Sequence, residues 1–276
     1  MHSKRWSIGG AVTAMALVAG GVAVAAGPWP GLSVGVVTPD GSVRYAAKAA
    51  GSSTRVTAIR VRDGHVLRVA SYKGTFGVPA VTINGVPGGL SADGRTLVLS
   101  EPPTYQGLRK QSRFIVLSTA TFRLIHTVAL RGEFGFDALS PDARTLYLIQ
   151  HGSVSDPTSY SVRAYDLRTG RLFARAIVDK SEADQTMRGY PVARATSVAA
   201  TWVYTLYRRD SARPFIHALN TRARYAVCID LPRQGSVDYV WNARLELTSE
   251  GRLLVKMPDG TTIATVDTQT LRIVTS

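Results

Sequence analysis

"GLSADGRTLVLS" runs from Gly89 to Ser100, and forty-nine residues later "ALSPDARTLYLI" runs from Ala138 to Ile149. Each copy is a tight turn followed by a run of apolar residues. Asp93-Gly94 is a strong hairpin signal, because glycine takes the positive φ that such a turn needs. Ser140-Pro141-Asp142 suits a type I turn with proline at its second position, and Ala143 in place of glycine makes that turn less secure. Thr96–Ser100 and Thr145–Ile149 are apolar on both faces, which suits strands packed between two neighbours.

Weaker copies appear once this frame is known. "VVTPDGSVRYAA" (Val36–Ala47) turns at Asp40-Gly41, and "ELTSEGRLLVKM" (Glu246–Met257) at Glu250-Gly251. "SVAATWVYTLYR" (Ser197–Arg208) keeps the strand and lacks the turn residues. Each copy is followed by strand, polar turn and strand: "AIRVRDGHVLRVA", "FIVLSTATFRLIHTVAL", "SVRAYDLRTGRLFARAIV", "FIHALNTRARYAVCIDL" and "TIATVDTQTLRIVT". Their turn residues Asp63, Ser118, Asp166, Asn220 and Asp267 lie 55, 48, 54 and 47 apart. A period near fifty with four short strands per unit is a propeller blade. A sandwich also has many short strands, but does not predict five copies of one four-strand unit.

The residues Leu90-Ser91-Asp93-Arg95-Thr96-Leu97 and Leu139-Ser140-Asp142-Arg144-Thr145-Leu146, with the second turn at Asp166, Thr169 and Arg171, carry a resemblance. The pattern is similar to the repeat of YVTN-type, lactonase-like propellers and of TolB-like propellers. It covers about residues 33–276 and is specific for the fold. It implies six or seven blades where five units are countable here. "YKGTFGVPAVTING" and "DKSEADQTMRGYPVAR" are the places for an unseen strand. The expected fold is all-β: a β-propeller of about five four-stranded blades, six or seven if some are degenerate, preceded by an N-terminal signal or anchor helix. Leu32–Val37 can serve the first blade and Thr261–Thr275 the last, so closure is expected by packing alone or with an exchanged N-terminal strand.

Composition is globular: 276 residues, 45% hydrophobic and mean hydropathy +0.03. Lys4 and Arg5 precede an uncharged Ile8–Ala26, with Ala23 and Ala25, or Val24 and Ala26, at positions suited to signal peptidase. Nineteen apolar residues are also just enough for an uncleaved anchor. Either way the body is placed outside the cytoplasm. The expected domains are 1–26 (signal peptide or anchor), 27–32 (short linker) and 33–276 (propeller). The chain carries +14, from 33 basic residues of which 6 are Lys, against 19 acidic. The basic residues are scattered, with short pairs such as Arg109-Lys110 and Arg208-Arg209. This suits solvated arginines or attraction to an anionic envelope polymer or lipid. No basic cluster points to nucleic acid.

The loops between units stand out as candidate binding residues: Glu133, Phe136, Asp137, Arg188, Tyr190, Arg194, Asp238, Tyr239, Trp241 and Asn242. Phe134 lies among them. Aromatics beside carboxylates, arginines and an amide are what a polar-ligand pocket needs. The alternative is that Phe136, Tyr190 and Trp241 plug the ring. No catalytic residue, metal site or cofactor is assigned. Nucleophile-elbow and zinc-helix motifs are absent. His65, His126, His151 and His217 are single and far apart, and packed or half-exposed imidazoles are expected at His126 and His217. Cys228 reads as a small buried hydrophobe. The "SADG", "SPDA" and "MPDG" segments offer one carboxylate each, so they are turns and not calcium loops.

Three readings of function follow. The first is a non-catalytic exported binding module with a protein or small polar ligand on its loop faces. The second is a lactonase-like or sugar-active enzyme with a channel site. The third is a membrane-anchored accessory or sensor domain. A monomer is expected.

Overall fold

The repeated dozen folds the same way each time. The Ser91 hydroxyl donates to Asp93 and accepts from Thr96 N–H, at 2.6 and 2.9 Å. Ser140 does the same with Asp142 and Thr145, at 2.6 and 2.9 Å. Thr38 opens the equivalent turn before Val43, and Thr248 a shorter one before Arg252. Each turn ends in a left-handed residue: Gly41, Gly94, Ala143 and Gly251. The Ser197 copy corrects the sequence reading. Its hydroxyl caps Trp202 N–H at 3.0 Å, and Ala200 takes the left-handed conformation at φ 50°.

This is a computed structural model, describing residues 30–274 apart from 105–106, 154, 180–186, 211, 233–236 and the side chains of 237–238. The stretch 1–26, expected to be a signal peptide or anchor, lies outside the described residues. Among these, the one helical element is a 3₁₀ turn, Val237–Val240, and no helix is long and apolar enough to cross a membrane.

Besides a two-stranded pairing of Leu32–Ser33 with Val78–Pro79, five larger antiparallel sheets follow one another along the chain. The first comprises Val36–Val37, Val43–Ala50, Ser53–Arg60 and Val66–Lys73. The second comprises Thr96–Ser100, Gln111–Ser118 and Leu124–Arg131. The third comprises Glu133–Leu139, Thr145–His151 and Ser159–Asp166, with an outer edge split between Arg171–Leu172 and Met187–Arg188. The fourth comprises Tyr190–Thr196, Trp202–Arg208, Phe215–Asn220 and Tyr225–Asp230. The fifth comprises Arg244–Leu247, Arg252–Lys256, Thr262–Asp267 and Arg272–Ile273.

The outer hairpins share a second device. An amide hydrogen bond back over four residues ends in a left-handed residue: Ser118 to Phe122, Asp166 to Gly170, Asn220 to Arg224 and Asp267 to Leu271. In the first sheet the same bond runs from Gly64 to Arg60. The turn therefore opens at Arg60, and Asp63 is not the equivalent of the other turn residues.

Buried clusters join neighbouring sheets. Val56 and Ala58 meet Leu97 and Leu117 between the first two. Phe114 and Val116 meet Leu146 and Leu148 between the next two. Tyr147 and Val162 meet Phe215 and Leu219, and Leu206 and Ile216 meet Leu253 and Val255. This layering explains strands that are apolar on both faces. Among the described residues no such cluster joins the fifth sheet to the first. Of the stretch Leu32–Val37 expected in the first blade, Val36–Val37 joins the first sheet, while Leu32–Ser33 pairs with Val78–Pro79.

The inner edge of the second sheet is unusual. Gly77 bridges Ser100 and Leu90 bridges Leu97, while the segment between them leaves the sheet as a small hairpin. The hairpin closes by hydrogen bonds from Val81 to Val86 and from Gly85 to Thr82. Its tip reaches the fourth sheet, where Ile83 N–H donates to Pro191 at 2.9 Å and Asn84 Nδ2 to Val192 at 3.1 Å. Gly88 and Gly89 permit the return. A Cβ at Gly89 would stand 2.4 Å from the Val98 carbonyl, and one at Gly88 2.6 Å from Val81.

Candidate functional site

The candidate residues were expected on loops, but Glu133, Phe136 and Asp137 lie in the innermost strand of the third sheet, and Tyr190 and Arg194 in that of the fourth. Both strands carry a bulge. Register shifts between Phe136 and Ala138, leaving Asp137 as the extra residue, and between Pro191 and Ala193. A bulge re-aims the side chain it carries. Asp137 accepts a hydrogen bond from Arg194 Nη2, and Arg194 Nη1 donates to the Asp137 carbonyl at 3.1 Å. The pair is almost wholly enclosed, with side-chain exposures of 3% and 8%.

This pair, with Phe136 and Val81, borders two hollows at once. One is lined by Val36, Leu90, Leu139, Ser197 and Val203, from four successive sheets, and holds about 320 Å³. The other is smaller, about 50 Å³, and is walled by Glu133, Phe134, His151, Tyr160 and Tyr207. A layer of Val81, Phe136, Asp137 and Arg194 thus separates the two.

The smaller pocket is built on cross-strand register. Glu133 is paired directly with His151, and His151 with Tyr160. Directly opposed residues share a face of the sheet, so carboxylate, imidazole and phenol form one row. All three are buried. Glu133 accepts from Arg109 N–H at 2.8 Å and from the Thr104 hydroxyl at 3.1 Å. Burial holds the His151 imidazole down at about 4, against an opposing hydrogen bond with the Ser159 backbone. The ring is therefore neutral at neutral pH. Burial also pushes the phenols of Tyr160 and Tyr207 up, and their rings stack with centroids 5.0 Å apart. The carboxylates of the pocket wall are each matched by a guanidinium: Glu101 pairs with Arg109 and Arg113 at 2.7 and 2.6 Å, Arg109 lies 4.0 Å from Glu133, and Asp137 pairs with Arg194.

The other candidates lie elsewhere. The guanidinium of Arg208 stands over Trp241 and Tyr190, at 4.9 and 5.9 Å from the ring centres. Neither aromatic lines either hollow, so of the three expected plug residues only Phe136 takes that position. Arg188 is exposed on the outer edge of the third sheet and pairs with Asp156 at 3.1 Å. The Tyr239 hydroxyl donates to the Pro232 carbonyl at 2.7 Å. Asn242 is exposed, and the Asp238 side chain lies outside the described residues. Sequence reasoning passed over His151 and Tyr160, because only strand register brings them beside Glu133. Cys228 is half-buried, its Sγ 3.9 Å from Nδ1 of His217. Burial lowers the pKa of His217 to about 4. Among the described residues no group of His, Cys, Asp and Glu is arranged to hold a metal ion.

No family model matches the chain, and no curated protein matches it in sequence. Solved structures match its fold. A functionally unknown protein from Desulfotomaculum acetoxidans is similar with a TM-score of 0.53, at 10% identity over 90% of this chain and 69% of that one. The β-propeller domain of Cps50 (Swd1) from Myceliophteria thermophila gives 0.50, at 12% identity over 91% of this chain and 68% of that one. TolB from Acinetobacter baumannii gives 0.47, at 12% identity over 87% and 52%. With five successive antiparallel sheets packed face to face, the chain is a β-propeller, and the likeness at these identities is one of fold.

Proposed function

We propose that the protein is an exported, non-catalytic binding module that takes a small polar ligand in the pocket walled by Glu133, His151 and Tyr160. The observation that carries this reading is the buried row of carboxylate, imidazole and phenol above the Asp137–Arg194 pair. Such a row offers hydrogen-bonding groups that are buried from solvent, where each bond counts for more than in water. The Glu133 carboxylate and the neutral His151 ring suit a ligand group that donates hydrogen bonds. A general base works best with a pKa near the operating pH, and an imidazole held near 4 is poorly matched to base catalysis. Both observations favour binding over turnover. Export is supported by Lys4, Arg5 and the apolar Ile8–Ala26.

Thermal unfolding and calorimetry against small primary amines, amino sugars and their N-acetylated counterparts test the reading. A ligand at one hundred times its Kd adds about 2.7 kcal/mol, a rise of roughly 5–10 °C for a chain of this size. The donor-bearing compounds should raise Tm, and Tyr160→Phe should weaken them about tenfold while leaving the unliganded Tm unchanged. If no small molecule moves Tm, or if Tyr160→Phe binds as the wild type does, the pocket is not the recognition site.

A further inference from the structure

The outer face of the first sheet is a second surface, independent of the pocket. Register sets Arg44 opposite Ile59 and Lys48 opposite Arg55, while Arg55 faces Ser71, Thr57 faces Val69 and Ile59 faces Val66. Alternation places these residues on the face away from the core, which takes Tyr45, Val56 and Ala58. Lys73, opposite Ser53, joins them. Arg44, Lys48, Arg55 and Lys73 are all exposed, and none has an ion-pair partner among the described residues. The three long strands contain no Asp or Glu. Like charges directly opposed across strands destabilise a sheet, so Lys48 against Arg55 costs the free protein stability. Beside the cations, Val66 and Val69 are 50% and 49% exposed.

We propose that this face docks onto an anionic lipid bilayer. Cations beside exposed aliphatic side chains suit a headgroup layer above hydrocarbon. A soluble polyanion would leave Val66 and Val69 unused. A second copy of the chain fits poorly. The corresponding face of the fifth sheet carries Arg244, Arg252, Lys256 and Arg272, and its two carboxylates, Glu246 and Asp267, are already paired with Lys256 and Arg252. The apolar stretch that ends at Ala26 stops ten residues before Val36, where this sheet begins.

Sedimentation of the full-length protein with sucrose-loaded vesicles tests this. Vesicles of phosphatidylcholine alone are compared with vesicles containing phosphatidylglycerol. Each cation near an anionic surface is worth about fivefold in partition, so Lys48→Gln/Arg55→Gln/Lys73→Gln should lose on the order of a hundredfold of the preference for anionic vesicles. The same variant should keep its fold with an equal or higher Tm, as the cross-strand repulsion is gone. Val66→Ser/Val69→Ser should weaken binding at high salt, where the ionic part is screened. The proposal is overturned if the wild type binds both vesicles alike, or if the triple variant keeps its anionic preference. It is also overturned if soluble polyphosphate binds as tightly as the vesicles and Val66→Ser/Val69→Ser changes nothing, or if the face closes a concentration-dependent dimer. Tyr160→Phe should leave vesicle binding unchanged, which separates this surface from the ligand pocket.

Discussion

At the scale of single residues, the repeat is a rule about one left-handed position per turn. Glycine fills it at Gly41, Gly94 and Gly251, and alanine at Ala143 and Ala200. A Cβ in that conformation is strained by about 1–2 kcal/mol. Ala143→Gly and Ala200→Gly should therefore each raise stability by about 1 kcal/mol in urea unfolding. The mirror experiment, Gly94→Ala, should lower it by a similar amount. The nearest atoms to a Cβ there are an ordinary 3.7 Å away, so backbone conformation alone is changed. Histidine sets a second expectation. His151 and His217 are each held at about 4 by burial, against about 6.5 in an unfolded chain. The folded state resists protonation that the unfolded state accepts, so their contribution is complete above about pH 6.5 and is lost as pH falls toward 4. Unfolding free energy should fall by several kcal/mol across that window. His217→Leu should flatten the decline, and an unchanged slope would show that other groups dominate.

At the scale of elements, the hairpins were legible and their pairing across the molecule was not. Ser91, Asp93 and Gly94 announce their turn because every bond in it is local. Asn84-Gly85 is an equally plain hairpin signal, but nothing nearby in sequence says that its loop crosses to Pro191 and Val192. The bulge at Asp137 was hidden for the same reason. So was the row from Glu133 to Tyr160, since register is decided by distant packing. The first sheet's outer turn misled because Asp63 is a sound turn residue that happens to lie inside a turn opened by Arg60. The crossing hairpin has a testable role. Asn84→Ala removes the hydrogen bonds to the Val192 and Trp241 carbonyls, and should cost about 1–2 kcal/mol. It should also raise the exchange rate of the Ile83 amide, which donates to Pro191. An Ile83 amide that stays protected would mean that Asn84 does not hold the crossing.

At the scale of the whole molecule, four interfaces between sheets supply the core, and the Asp137–Arg194 pair ties the third sheet to the fourth across the middle. Removing one member of a buried pair strands the other, at about 3–5 kcal/mol. Arg194→Met should show that loss in urea unfolding, and Asp137→Leu/Arg194→Met should recover most of it. If the single and double variants unfold alike, the pair is not a structural tie. The same layer divides the interior into two hollows, and the proposed recognition site is the smaller one. Soaking crystals of the protein with a set of small amine- and hydroxyl-bearing fragments tests this most directly. The predicted result is density in the recess between Glu133, His151 and Tyr160. Density confined to the larger hollow beside Leu90 and Val203, or none in either, would contradict it.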